Sequence, residues 1–299
     1  MIGRSNAGGG GAKVTIDGVK VQDDLALVSD VRDVVLDIYP QCSFYNGFAV
    51  ALNDEIHVFG HDVTHTSSLI DITQHCKWNG TTWSKVSTLP SDMRAGSAVV
   101  LNNEIHLIHG TEHYKFNGSS WTKLSTLPYE FSDGRIVTFN NEIHAIGSSD
   151  GNARRAHYKW NGSTWSKVST LPINFYGGGG AIVYNNEIHI LGGSPGYYTY
   201  HYKFNGSAWT SVETLTFNCG TSASACVKNG EIHVVNYEGH YKYNGTTWDT
   251  LNAPPYSFDR TRLISMNGTI YLLGYYAYSN RIEYNKLCIL QKKFYQIAS

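Results

Sequence analysis

The 299-residue chain carries a formal charge of −1 at neutral pH, with 41% hydrophobic and 16% charged residues. That is enough apolar matter for a large core and too little charge for a disordered chain, and no basic stripe suits nucleic acid. The 30 glycines and 21 tyrosines, set against 7 prolines and 3 methionines, favour tight turns between half-buried strands and an all-β chain.

Residues 1–32 form a leader of different character. The opening MIGRSNAGGGG lacks the apolar core of a secretory signal, and no run of about 18 apolar residues follows. The expectation is a protein made in the cytoplasm without membrane insertion. After the flexible glycines, Asp17-Gly18 sits between alternating apolar residues in KVTIDGVKV (13–21) and predicts a small hairpin. Residues 22–33 read as a short helix or linker. A lone hairpin is unstable in water, so the leader is expected to dock, attach to a partner or oligomerise.

From residue 33 to 299 one unit recurs. Its first half reads LNDEIHVFG (52–60), LNNEIHLIHG (101–110), FNNEIHAIG (139–147), YNNEIHILGG (184–193), KNGEIHVVN (228–236) and MNGTIYLLG (266–274). The aligned rings are His57, His106, His144, His189, His233 and Tyr271, spaced 38 to 49 residues apart. The second half reads CKWNGTTWSKVSTLP (76–90) and returns at 114–128, 158–172, 202–216 and 241–254. The second unit spells four strands: 97–101, a turn at Asn102-Asn103, 104–109, 113–116, a turn at Asn117-Gly118 expected to hold φ > 0 at both positions, and 121–127 before Pro128. Four short strands per unit of this length define a propeller blade, and six first halves predict six blades.

The last unit is less regular, with its outer strands expected within 282–291 and 294–297. The segment VVLDIYP (34–40) mimics a fourth strand ahead of the first blade. It is expected to close the ring against the last one and so protect exposed edges. The six Asn-Gly-Ser/Thr tripeptides, at Asn79, Asn117, Asn161, Asn205, Asn244 and Asn267, read as turn geometry rather than glycan acceptors. The five cysteines are odd in number and contain no CxxC, so neither a disulfide framework nor a cysteine metal site is expected, and no cofactor is.

Residues 34–299 resemble kelch-repeat propellers. The likeness rests on the strand-ending glycines (Gly60, Gly110, Gly147, Gly192-Gly193, Gly274), the aromatic before the turn (Trp78, Phe116, Trp160, Phe204, Tyr243) and the Trp after it (Trp83, Trp121, Trp165, Trp209, Trp248). Only the fourth unit keeps the full double glycine. The resemblance implies a six-bladed, all-β disc. Rings repeated at one blade position around an axis do not converge, so the aligned histidines read as packing between blades rather than as a metal or catalytic set.

In such a disc the 1–2 and 3–4 turns share one face, and the 2–3 and 4–1 loops share the other. The first face is monotonous: residues 77–90 and 159–172 differ only at Thr81 against Ser163. The second varies from copy to copy, which places binding there. Its candidate ligand residues are Tyr45, Arg94, Asp133, Arg154, Tyr176, Tyr197, Tyr198, Tyr237, Tyr256, Asp259, Arg260 and Tyr276. Tyr gives rigid contact area and short polar groups give hydrogen bonds, a mixture that suits sugars or protein epitopes. Arg135 and Arg262 each stand five residues before the turn Asn of their unit. They are expected at the mouth of the central channel, to bind carboxylates or to pair with Asp133 and Asp259.

Kelch propellers also include copper oxidases of the galactose oxidase type, but no cysteine here stands in a motif for their Tyr–Cys cross-link. Sialidase propellers use an arginine triad with a Tyr nucleophile, which Arg94, Arg135 and Arg262 could imitate, yet the Asp-box repeat is missing. A kelch-type sialic acid mutarotase is the better enzyme analogue. The leader fused to near-identical EIH…NGSSW blades resembles proteins encoded beside tail genes in bacteriophages and prophages of Gram-positive bacteria. That resemblance implies a virion protein without catalysis, anchored to a tail component by the leader and binding a host-surface glycan or protein. The alternatives are an intracellular kelch module binding a protein partner and a sugar-modifying enzyme.

Overall fold

The computed structural model describes residues 14–16, 19–21, 32–36, 42–62, 73–220, 223–251, 253, 259–278 and 281–291, with side chains at 47–60, 73–220, 223–251, 253 and 262–273. Among them there is no helix. The chain divides into one compact unit over Asp33–Leu290 and another made of Met1–Arg32 with Gln291–Ser299. In the second unit Val14–Ile16 pairs antiparallel with Val19–Val21, the small hairpin expected of the leader. Residues 22–31 lie outside the described residues.

The larger unit is a β-propeller built from four-stranded sheets. Five blades are meanders of four consecutive strands. Blade 1 contains Cys42–Leu52, Glu55–Asp62, Gln74–Trp78 and Trp83–Thr88. Blade 2 contains Ser97–Leu101, Glu104–His109, Glu112–Phe116 and Trp121–Lys123, and blade 3 Arg135–Phe139, Glu142–Ile146, Ala156–Trp160 and Trp165–Thr170. Blade 4 contains Gly180–Tyr184, Glu187–Leu191, His201–Phe204 and Trp209–Ser211, and blade 5 Ser224–Lys228, Glu231–Val235, His240–Tyr243 and Trp248–Leu251. The remaining four-stranded sheet is composite: Asp259–Met266, Thr269–Tyr278 and Arg281–Gln291 are followed at the outer edge by Arg32–Leu36. The outer place expected for 294–297, which lie outside the described residues, is thus taken by the early strand.

The first strand of each sheet neighbours the first strand of the next, and that of the composite sheet neighbours that of blade 1, so the ring closes around an axis. Apolar cores lie between successive sheets. Phe48, Phe59 and Met93 meet Ile105, Leu107 and Phe116 between blades 1 and 2. At the closing seam Ile264, Met266 and Leu273 of the composite sheet meet Ile56, Val58 and Trp78 of blade 1. Truncating one such aromatic costs about 3–5 kcal/mol. One sequence expectation is corrected in this core: Cys76 is disulfide-bonded, whereas Cys219 and Cys226 are free thiols.

The turns are also built differently from the sequence expectation. The two-residue turns with φ > 0 at both positions join strands 1 and 2: Asn102 and Asn103 have φ of 51° and 62°, and Asn140 and Asn141 of 50° and 61°. The Asn-Gly of the 3–4 connection instead opens a four-residue loop between paired aromatics such as Phe116 and Trp121. There only the glycine has positive φ, 99° at Gly118. The asparagine works through its side chain: Asn117 Oδ1 accepts hydrogen bonds from Ser119 N, Ser119 Oγ and Ser120 N, each at 3.0 Å. Losing this cap removes about 1 kcal/mol. Asn117→Ala is therefore expected to lower the unfolding free energy by that amount, read as a lower urea midpoint at unchanged slope. The fourth strand of blade 2 stops at Lys123, short of the expected residue 127. Leu124 N and Leu127 N still donate to His113 O and Thr111 O, so an irregularity in pairing ends the strand rather than a departure of the chain.

Candidate ligand site

The inner strands set one ring of side chains around the axis. Phe48 pairs with Phe59, Ser97 with Ile108, Arg135 with Ile146, Gly180 with Leu191, Ser224 with Val235 and Arg262 with Leu273. These are the same register position in successive sheets, and all six residues line one axial cavity of about 160 Å³. Much of the remaining lining is small, with Ala49, Gly96, Ala98, Gly179, Ala181, Ala223 and Ala225. Close approach of the inner strands demands it: a Cβ on Gly180 would lie 2.8 Å from the Cβ of Ala225. The offset of five residues before the turn asparagine thus brings Arg135 and Arg262 to one level of one channel. Arg94 is not part of that lining; its backbone N and its Nε both bond the carboxylate of Asp92 two residues back.

Arg135 donates from Nη1 to two backbone carbonyls, Asp133 O at 3.3 Å and Gly134 O at 3.0 Å. Burial pushes its pKa below the usual guanidinium range, and the charge of Asp133 opposes the shift. Asp133 itself works through its backbone, with φ of 54°: its N donates to Ala95 O, and its O accepts from Gly177 N. It thereby ties together three successive 4–1 loops.

On the diversified face, the 2–3 and 4–1 loops meet as topology requires. Gly110 and Phe131 exchange two backbone bonds of 2.8 and 2.9 Å, and Phe175 N donates to Arg154 O at 2.9 Å. The aromatic three residues after Pro128 and after Pro172 is a plug: Phe131 and Phe175 are fully buried. The guanidinium of Arg154 lies over the Tyr176 ring, 5.0 Å from its centroid. In blade 4, Tyr197 packs partly into the core beneath it and stands 5.5 Å from the ring of Tyr200. Tyr198 accepts from Cys219 N through its carbonyl. In blade 5, Tyr237 is 56% exposed and donates its hydroxyl to Glu238. Tyr256 lies outside the described residues. Tyr45, Asp259, Arg260 and Tyr276 fall on described strands, but their side chains are outside what is described.

Sequence reasoning missed half of a repeated polar constellation. Each aligned histidine of strand 2 hydrogen-bonds a second histidine on strand 3. The pairs are His57–His75, His106–His113, His144–His157, His189–His201 and His233–His240, each Nδ1 to Nε2 at 2.8–2.9 Å. All ten rings are buried. The signal was available, because the second histidine always precedes the turn aromatic by three residues. In blade 1 the network runs on: Trp121 Nε1 of the next blade donates to Ser87 Oγ, which lies 3.1 Å from His75 Nδ1. With the indole donating to the hydroxyl oxygen, the hydroxyl proton goes to His75 Nδ1. His75 Nε2–H then donates to His57 Nδ1, and His57 Nε2–H faces Glu55, 3.8 Å away. Blade 3 repeats the Trp–Ser–His–His part of it through Trp209, Ser169, His157 and His144.

Burial is the main cause that lowers the strand 2 histidines to about 4 and the strand 3 histidines to about 3, with the partner ring adding to the shift in the second group. Both rings of each pair are therefore neutral at pH 7. The strand 3 rings of blades 1 to 4 pack edge-on against the next blade, as where His157 meets Phe204 and Trp209 with centroids 4.9 and 5.4 Å away. The constellation joins blades, and no three His, Cys, Asp or Glu side chains converge as a metal set among the described residues.

A closed ring of antiparallel four-stranded sheets with one diversified face and an arginine-bearing channel defines a β-propeller. No protein-family profile matches the chain, and no curated protein does. Among solved structures, that of YjhT is similar with a TM-score of 0.66 at 12% identity, over 80% of this chain and 93% of that one. At that identity the likeness shows the fold and carries no activity across.

Proposed function

We propose that the protein is a non-catalytic binding module whose 2–3 and 4–1 loop face takes a glycan or protein of a host cell surface, as a tail-associated component of a phage or prophage. One observation carries this reading. Tyr200 and Tyr237, exposed at 39% and 56%, are the large hydrophobic side chains left open among the described residues, and both stand in 2–3 loops of neighbouring blades. Tyr197, Tyr198 and the Arg154–Tyr176 stack lie in loops of the same face. Rigid rings with polar tips at a protein surface suit sugar faces and epitopes. The test is capture of the full chain on Gram-positive cell walls and on a glycan array. Specific retention is expected, weakened about tenfold by Tyr237→Ala. No retention on either would overturn the reading, and stoichiometric capture of one intracellular protein from lysate would replace it with the interaction-module alternative.

The sugar-modifying alternative, of sialidase or sialic acid mutarotase type, is favoured by Arg135 and Arg262 sharing one channel. The described lining there holds no carboxylate and no tyrosine to act beside them. Turnover of a sialoside or of free sialic acid by the full chain would establish it.

A further inference from the structure

We propose that the axial channel is a binding site for one small oxyanion, a carboxylate or a phosphate, held by the Arg135 guanidinium at the level of Ser97, Ser224 and Arg262. The inference is independent of what the loop face binds.

Three observations converge. The first is a guanidinium with unused donors. No carboxylate pairs with Arg135 among the described residues, and the groups that meet it are two carbonyl oxygens on a single nitrogen. A guanidinium carries five N–H donors in a planar fork, so Nε and Nη2 remain for another acceptor. The nearby thiol of Cys219 is no counter-ion, since burial pushes its pKa up to about 12 and keeps it neutral. The side chain is half-buried and lines the channel, so an oxyanion there can accept charge-assisted hydrogen bonds from these unused donors.

The second is room. At this level the other sheets contribute Phe48, Ser97, Gly180 and Ser224, of which three are small, and the result is a cavity of about 160 Å³ rather than a packed plug. A polar cavity of that size holds several waters or one small organic acid.

The third is symmetry breaking. In a ring of near-identical sheets, the register position takes Arg in blade 3 and again in the composite sheet, three sheets on in the closed sequence. Repeated scaffold residues such as the Glu-Ile-His of strand 2 are copied in every blade but the last, whereas this position is Phe, Ser, Arg, Gly, Ser and Arg. The channel wall is specified sheet by sheet, and a scaffold alone has no need of that.

The experiment is calorimetric titration of the full chain at pH 7.5 with sodium acetate, sodium pyruvate and sodium phosphate, each against sodium chloride at matched ionic strength. One saturable site is expected for at least one oxyanion and none for chloride. Arg135→Met should weaken it at least tenfold, and Arg135→Lys, which keeps the charge and loses the fork, should fall between. Acetate and pyruvate binding without phosphate identifies a carboxylate site, and the reverse a phosphate site. Ser97→Val, which narrows the channel and leaves both arginines, should also weaken binding and serves if Arg135→Met does not fold. Tyr237→Ala should leave this binding unchanged, which separates the channel from the loop face. No saturable binding by the wild type, or binding within twofold of wild type in Arg135→Met or Ser97→Val, overturns the proposal.

Discussion

Acidification below pH 6.5 is expected to unfold this propeller within about one to two pH units, far more steeply than it would a domain with few buried histidines. Ten of the 13 histidines sit in five buried pairs. In the unfolded chain they take up protons near pH 6.5, and in the folded chain not until about 4 on strand 2 and about 3 on strand 3. The folded pKa is depressed, so the stabilisation is complete above the unfolded value and is lost as pH falls through 6.5 toward the folded values. Each withheld proton contributes about 1.4 kcal/mol of lost stability per pH unit. Ten together withhold on the order of 10 kcal/mol by pH 5.5, comparable with the whole stability of a typical domain. Thermal midpoints followed by tryptophan fluorescence should be flat from pH 8 to 7 and then collapse before pH 5. A flat midpoint down to pH 4.5 would mean that the pairs are open to water. The composite sheet supplies an internal control, because Tyr271 stands where the strand 2 histidine does, and Leu287 holds the register place of the strand 3 one. Copying that pair into blade 4 as His189→Tyr with His201→Leu should reduce the steepness by about a fifth, one pair of five.

The repeat that makes these pairs was plain in the sequence, while their chemistry was legible only in part. Strand order, blade boundaries and the closing role of the segment near residue 34 follow from periodic apolar residues and turn signals, which are local. The shared level of Arg135 and Arg262 was equally legible, since equal offsets from a turn asparagine become equal register once the units are sheets. The histidine pair was not seen, because the bond joins positions two register steps apart on neighbouring strands, and alignment of one motif at a time separates them. Turn chemistry was misassigned for a related reason. Asn-Gly has a strong intrinsic bias to the two-residue hairpin. Here the following Ser or Thr extends the loop to four residues, and the Asn side chain takes over the capping. An odd cysteine count gave no sign of the disulfide at Cys76.

Gly147→Ala is expected to cost about 3–5 kcal/mol and to disturb the loop face with it. Gly147 ends strand 2 of blade 3 with φ of 68°, in the left-handed region that a β-carbon disfavours. Its missing side chain is also where the next loop sits: a β-carbon there would overlap the carbonyl of Phe175. That carbonyl belongs to the buried plug between blades 3 and 4, so it cannot withdraw without lifting Phe175 out of the core. The residue after the plug is Tyr176, which stacks under Arg154, so the loop that carries part of the candidate face is seated by the absence of one methyl group. Gly192 makes the same approach to Cys219 in blade 4, and Gly110 pairs with Phe131 in blade 2, which explains why a glycine closes strand 2 where a single residue must turn and also yield space. Gly151, in the 2–3 loop of the same blade as Gly147, has nothing within 4 Å of its β-carbon position. Gly151→Ala should therefore lie within about 0.5 kcal/mol of wild type. Urea unfolding of the two variants side by side separates the effects. If Gly147→Ala unfolds at the wild-type midpoint, the plug is not held by this contact, and the loop face rests on something other than the glycine ends of the blades.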